Sequence, residues 1–167
     1  MVSPQAVYVF RQATNADYHF LFDLHRSTMR EYIEPLWGWN EEWQSEYFQK
    51  KFNAADRQII VVDGRNAGVV VVEERADEIY LSLIELLPEY QGRGIGSSII
   101  GELKEQAQSQ AIPLRLHVLR SNVPAQLLYA RLGFRVIEES EYRYRMEFRS
   151  ATESMKNILA SQHAASR

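Results

Sequence analysis

Cysteine is absent from the 167 residues. Disulfides, thiolate metal sites and a cysteine nucleophile are therefore excluded, and the composition is compatible with a reducing compartment. No apolar run approaches the ~18 residues of a membrane span. The longest aliphatic stretches are short, such as residues 69–72. Residues 1–5 show none of the basic-then-apolar layout of a secretory signal. A soluble cytoplasmic protein with no membrane partner is expected. A basic excess is missing too: the formal net charge is -3, which argues against nucleic acid as a partner. No internal repeat or long linker interrupts the chain. With 46% hydrophobic and 25% charged residues, it is an ordinary globular sequence, long enough to bury a core without staples.

One domain is expected over residues 1–149. Residues 150–167 read as a polar C-terminal tail or frayed helix, weakly apolar at Met155, Ile158 and Leu159. Charge is uneven along the chain. Residues 1–90 carry 8 basic and 15 acidic side chains, residues 91–167 carry 11 and 7. That asymmetry fits an anionic ligand held by the C-terminal half and a cationic one near the N-terminal half; it also fits chance on solvated faces.

Residues 7–10 read as a first strand. Thr14 with Asp17 three residues later is a capping-box start, and Leu21, Leu24, Thr28 and Tyr32 follow at helical spacing. Pro35 and Gly38 are expected to end that helix. Asn40 can cap a second, with Trp43, Tyr47, Phe48 and Phe52 as its apolar stripe. Asp63-Gly64 between Val/Ile-rich runs at 58–62 and 67–73 signals an antiparallel hairpin. Residues 78–87 are apolar at nearly every position, as in a central strand covered on both faces, with Glu78 at its exposed start. A helix follows over 94–110 and a strand over 114–119. Asn122 and Pro124 open a short helix that Gly133 stops, and strands at 134–138 and 142–148 close the sheet. The order is β-α-α-β-β-β-α-β-α-β-β, an α/β sandwich with a mixed sheet.

The segment Gln91-Gly92-Arg93-Gly94-Ile95-Gly96-Ser97 lies between a strand and a helix. Small residues there let backbone N–H groups approach a ligand, and the positive helix end suits a phosphate. Arg93 adds a cation. A dinucleotide fingerprint would need glycine at 97, which is Ser, and a P-loop would need a Lys after the final glycine. A loop whose glycines merely permit a turn is the bland alternative.

At these residues the sequence resembles the GNAT superfamily of N-acetyltransferases. Residues 91–96 are similar to its Gln/Arg-x-x-Gly-x-Gly/Ala signature, and Leu86-Leu87-Pro88 looks like the end of its fourth strand. Asn122, Ala125, Tyr129 and Gly133-Phe134 resemble its Asn-x-x-Ala-x-x-x-Tyr-x-x-x-Gly-Phe segment. The resemblance covers roughly residues 7–148. It implies a mostly antiparallel sheet of about seven strands flanked by four helices. It implies acetyl-CoA as donor and CoA as product, with the pantetheine arm in a wedge between strands four and five. Gln91, Gly92, Arg93, Gly94, Ile95, Gly96 and Ser97 would hold the pyrophosphate. A backbone N–H at Leu86 or Leu87 would polarise the thioester carbonyl. Asn122 would contact the pantetheine, cap its helix, or do both.

Acetyl transfer needs a deprotonated amine, a stabilised oxyanion and a protonated leaving thiolate. By resemblance Tyr129 is the acid; its alternative is a core aromatic. Glu85, among apolar neighbours, is the candidate base, or a solvent-facing residue at a bulge. His117 is a second candidate base or a hydrogen-bonded structural residue. His19 and His25 stand without partners at metal spacing, so no metal site is expected. Glu34, Trp37 and Trp39 would suit a cationic amine, or the two indoles pack a turn onto the core. The expected acceptor is a primary amine of a small molecule or peptide. An acyl-CoA sensor on the same fold and a nucleotide-binding regulatory domain are the rival functions. A strand at 142–148 would offer an edge for a homodimer.

Overall fold

The computed structural model describes residues 7–164. Residues 1–6 and 165–167, which include the stretch read for a leader and the end of the tail, lie outside them. The strands β1 (Tyr8–Gln12), β2 (Gln58–Val62), β3 (Arg65–Glu74), β4 (Ile79–Leu86), β5 (Leu114–Leu119), β6 (Arg135–Glu139) and β7 (Arg143–Phe148) form one sheet. Its order is β1-β2-β3-β4-β5-β7-β6. Every neighbouring pair is antiparallel except β4 with β5. The expected sandwich and element order are found, with a fifth helix after the sheet.

Helices α1 (Tyr18–Trp37) and α2 (Glu41–Lys51) cover one face of the sheet, while α3 (Ile95–Gln110) and α4 (Val123–Arg131) cover the other. The pleat explains the division. Successive strand residues point to opposite faces, so Ile59 enters the core with Leu21, Leu24 and Phe48, and adjacent Ile60 enters the core with Ile95, Ile99 and Tyr129. The tail region folds as α5 (Ala151–Ala164), with Met155, Ile158 and Leu159 exposed. Local signals act where expected. Thr14 and Asp17 form a capping box on a 3-10 turn ahead of α1. The Asn40 side chain accepts from Trp43 N–H at 2.8 Å to start α2.

Three expectations are corrected. Pro35 lies inside α1, which continues to Trp37; its missing N–H forfeits one ladder bond and any distortion is confined to the last turn, and Gly38 closes the helix by donating to Glu34 O at 2.9 Å. The strand at β7 is not an edge, because it lies between β5 and β6, and the sheet edges are β1 and β6. Glu78 is buried at 4% exposure. Its carboxylate receives Arg75 and, at 2.8 Å, Arg115, with Arg145 at 3.4 Å. Burial would raise its pKa, but hydrogen bonds from Arg115 and Arg75 outweigh that and the net direction is down.

Gly68 in β3 is required by close approach rather than by a turn. A Cβ there would stand 2.2 Å from the backbone oxygen of Glu85 and 2.9 Å from Leu86 Cδ2. Gly68→Ala must push β4 at the position of the site described below. A loss of about 3 kcal/mol in urea unfolding is expected. Gly101→Ala is the contrasting case. Nothing lies within 4 Å of its Cβ and it sits inside α3, so a gain of about 1 kcal/mol is expected.

Candidate active site

Strands β4 and β5 pair only at Ile79–Leu114, Tyr80–Arg115 and Leu81–Leu116. Both continue beyond these partners, to Leu86 and Leu119, and part as they go. A cleft of about 820 Å³ occupies the gap. Its side chains come from both faces of the sheet: Ala125 and Tyr129 from α4, His25, Met29 and Gln44 from α1 and α2.

A bulge decides which β4 side chains meet it. Val71 pairs with Leu83 and Val72 with Leu81, so Ser82 is the extra residue. Before it, Ile79 and Leu81 pack toward α3; after it, Leu83 packs toward α1 and Ile84 toward α3. Glu85 therefore turns to the α1 side, where it is buried at 5% exposure. The expected alternative of a solvent-facing carboxylate does not hold.

Glu85 Oε1 lies 2.9 Å from His25 Nδ1. The imidazole packs near Phe48, at 5.9 Å between ring centroids, and Trp39, at 6.3 Å. Arg57, just ahead of β2, lies over Phe48 and Phe52 at 5.4 and 5.6 Å. Burial lowers the pKa of its guanidinium, and the Glu85 charge acts in the opposite sense. His25 was missed as a partner for Glu85. It falls four residues after buried Leu21, so its place on the inward stripe of α1 was readable from spacing alone.

Tyr129 is buried at 8% exposure; among the described residues its hydroxyl makes no hydrogen bond, yet it is not a buried orphan, and the residue borders the cleft. Burial pushes its pKa up to about 12. The ring packs on Phe134 at 5.8 Å. Across the cleft, Tyr80 Oη and His117 Nδ1 are 2.7 Å apart. Burial, then the charges of Arg145 and Arg143, hold His117 below the usual histidine range. His117 is thus hydrogen-bonded and also borders the cleft.

The phosphate-type loop lies at the end of β4. Gly92 and Gly94 have φ values of 70° and 80°, and a Cβ at either would meet nothing within 4 Å. Both positions are open to a ligand and awkward for other residues. The first ladder bond of α3 runs from Ser98 N–H to Gly94 O at 2.9 Å, so the N–H groups of Ile95, Gly96 and Ser97 precede the ladder. The Ile95 side chain is in the core at 1% exposure. Arg93 is exposed, 5.3 Å over the Tyr90 ring. Gln91 Nε2 donates to Leu86 O at 2.8 Å and braces the strand end.

The Leu87 N–H donates to Ala67 O at 2.8 Å and is not free for an oxyanion, which corrects that half of the expectation. Antiparallel alternation turns the Leu86 N–H the other way, toward the gap. Asn122 Oδ1 accepts from Ala125 N–H at 3.2 Å as the α4 cap, and the residue also borders the cleft.

The three aromatic-turn residues separate. Trp37 lines the cleft, its ring 4.9 Å from Tyr142. Glu34 does not; it faces Arg30 at 3.6 Å with its side chain 53% exposed. Trp39 donates its indole N–H to Glu41 at 2.7 Å and reaches the cleft only through His25. Trp43 and Tyr47, stacked at 5.1 Å, add two further rings to the lining. Among the described residues no cluster of His, Asp or Glu could hold a metal, and no helix is long and apolar enough to cross a membrane.

Comparison with known proteins agrees with this geometry. A family model described as the acetyltransferase (GNAT) family matches residues 18–134. A thialysine N-epsilon-acetyltransferase of Sus scrofa is 41% identical over 81 residues, 48% of this chain and 46% of that protein. A [ribosomal protein bS18]-alanine N-acetyltransferase of Haemophilus influenzae is 26% identical over 91 residues, 53% of this chain and 62% of that protein. The chain thus spans about half the length of the curated relatives it matches. Among solved structures, the PaiA N-acetyltransferase of Thermoplasma acidophilum in complex with coenzyme A superposes with a TM-score of 0.70 at 19% identity, covering 86% of this chain and 99% of that one.

Proposed function

This chain belongs to the GNAT family of acetyltransferases, and we propose that it moves acetyl from acetyl-CoA to a primary amine by direct transfer in a ternary complex. The observation that carries this is the cleft through the sheet. A phosphate-type loop lies at the end of β4, a phenol stands on one side, and a buried carboxylate with its imidazole stands on the other.

The residues present fit the donor. N–H groups of Ile95, Gly96 and Ser97, the open backbone at Gly92 and Gly94, and the Arg93 cation suit a diphosphate. The Leu86 N–H faces the gap, where an acyl oxygen would need a donor. Tyr129 stays a phenol across the neutral range and can donate to the leaving sulfur. Direct transfer agrees with a chain that has no thiol to carry the acetyl group. Trp37, Trp43 and Tyr47 offer rings to a cationic acceptor. Relatives are named for acetylating thialysine and a ribosomal-protein alanine, so small-molecule and peptide amines both belong in the acceptor screen.

The test is thermal unfolding with acetyl-CoA, CoA, NADH and ATP in parallel, followed by turnover on an amine panel. At ~100 times its Kd a ligand adds about 2.7 kcal/mol, a shift on the order of 5 °C here. Shifts with both CoA species only, and acetylated amine by mass spectrometry, are the expected results. No shift with either CoA species rejects donor binding. A shift without turnover on any amine makes the chain an acyl-CoA sensor.

A further inference from the structure

We propose that the group accepting the amine's proton is Nε2 of His25, and that Glu85 is the positioning residue that holds that imidazole in the required tautomer. This rests on the acetyltransferase reading above and names an atom within it.

The two side chains divide the work by exposure. The Glu85 side chain is 3% exposed and that of His25 is 23% exposed. A carboxylate enclosed to that degree has little access to an incoming amine. Both residues border the cleft, and the imidazole presents the larger accessible share to it. Its Nδ1 is taken by Glu85 Oε1 at 2.9 Å, and among the described residues Nε2 has no protein partner and is not a buried orphan. A carboxylate accepts only, so Nδ1 carries the proton and Nε2 is left with its lone pair, on a ring that borders the cleft. The Phe48 and Trp39 rings pack near the imidazole at 5.9 and 6.3 Å between centroids. This is the same division as in a Ser-His-Asp triad, where the buried carboxylate orients the imidazole and the imidazole moves the proton. The charged groups facing the pair are Glu85 itself from β4 and Arg57 ahead of β2, with Asp56 acting on Arg57.

An alkylammonium gives one proton to His25 Nε2, forming the imidazolium. The free amine nitrogen bonds to the thioester carbon. The carbon–sulfur bond then breaks with its electron pair on sulfur. Sulfur takes the Tyr129 hydroxyl proton, and the nitrogen's second proton restores the phenol, directly or through water. The imidazolium releases its proton to solvent. Ammonium and acetyl-CoA become amide, CoA thiol and one proton.

Two measurements test the assignment. The first reads the tautomer by NMR on 15N-histidine protein, at a pH where the ring is neutral, with the His25 signals identified by their loss in His25→Ala. The Nδ1–H form is expected in the wild type, shifting toward Nε2–H in Glu85→Gln. An Nε2–H form in the wild type overturns the proposal, whatever the acceptor proves to be. The second reads acetylated amine on any panel amine the wild type accepts. His25→Ala is expected to lose about 10²–10³-fold in kcat. Added imidazole, entering the space left by the ring, is expected to restore turnover in proportion to its concentration. Glu85→Gln is expected to lose about 10²-fold and to gain nothing from imidazole. His25→Ala turning over at the wild-type rate, with Glu85→Gln inactive, overturns the proposal and makes Glu85 the base. A wild type that acetylates nothing counts against the function and not against the tautomer.

Discussion

Tyr129→Phe is expected to lower kcat by about 10²-fold, to leave CoA affinity within about twofold, and to leave the melting temperature unchanged or slightly raised. The stability half follows from the surroundings of the hydroxyl. It has no hydrogen-bond partner in the protein among the described residues, so its removal orphans nothing. The ring keeps its contact with Phe134 at 5.8 Å. The catalytic half follows from its acidity. Burial pushes Tyr129 up to about 12. A thiol titrates near 8.5, so complete proton transfer from an isolated phenol to a thiolate is uphill by about 5 kcal/mol. Tyr129 therefore acts by donating a hydrogen bond to charge as it grows on sulfur, and it passes a proton only as the nitrogen supplies another. That weaker role places the expected loss at the low end of general-acid effects. It also means that no basic limb of the pH–rate profile below about pH 11 belongs to Tyr129. Steady-state rates of both proteins against pH, with CoA binding by calorimetry, check each part. A variant with wild-type kcat removes Tyr129 from the chemistry.

Gly94→Asp is expected to weaken CoA binding by about 10²-fold and Gly94→Ala by about tenfold. Position 94 caps α3 at φ 80°, with open space where a Cβ would stand. Alanine adds backbone strain at a positive φ and little steric conflict inside the protein. Aspartate adds a charge where the diphosphate is proposed to lie. A like-charge pair at ~4 Å costs about 1 kcal/mol in water and about 4 kcal/mol at the protein surface, and an intermediate value of about 3 kcal/mol is a factor of about 10². Calorimetric Kd values at low and high salt separate the two effects. The aspartate penalty should shrink with ionic strength and the alanine penalty should not. Equal Kd values for wild type and both folded variants would remove the pyrophosphate from this loop.

The parts of this site that could be read from the chain are the local ones. Asn122 with Pro124, and the glycines at 92 and 94, specify helix starts and open backbone within a few residues of themselves. The structure finds the Asn122 cap at 3.2 Å and both glycines at positive φ. Leu87 marks the limit. Its N–H could serve an oxyanion only if β3 left it free, and Ala67, twenty residues away, takes it at 2.8 Å. Glu78 shows the same limit in charge. At a strand's polar start it looked exposed, but Arg115 and Arg145 arrive from β5 and β7 to bury it.

Composition, apolar periodicity and turn chemistry were enough to specify the element order, the mixed sheet and the phosphate-type loop, because each depends on neighbours in sequence; Tyr129 became a candidate only through the family resemblance of its segment. The direction of Glu85 was beyond their reach. In an unbroken strand it shares a face with Ile79 and Leu81 and would point toward α3. The extra residue at Ser82, which exists only in the pairing of β4 with β3, rotates it to the opposite face and delivers it to His25, 60 positions earlier in the chain. A side-chain period of two makes one inserted residue reverse everything after it, and whether a residue is inserted is a property of two strands together.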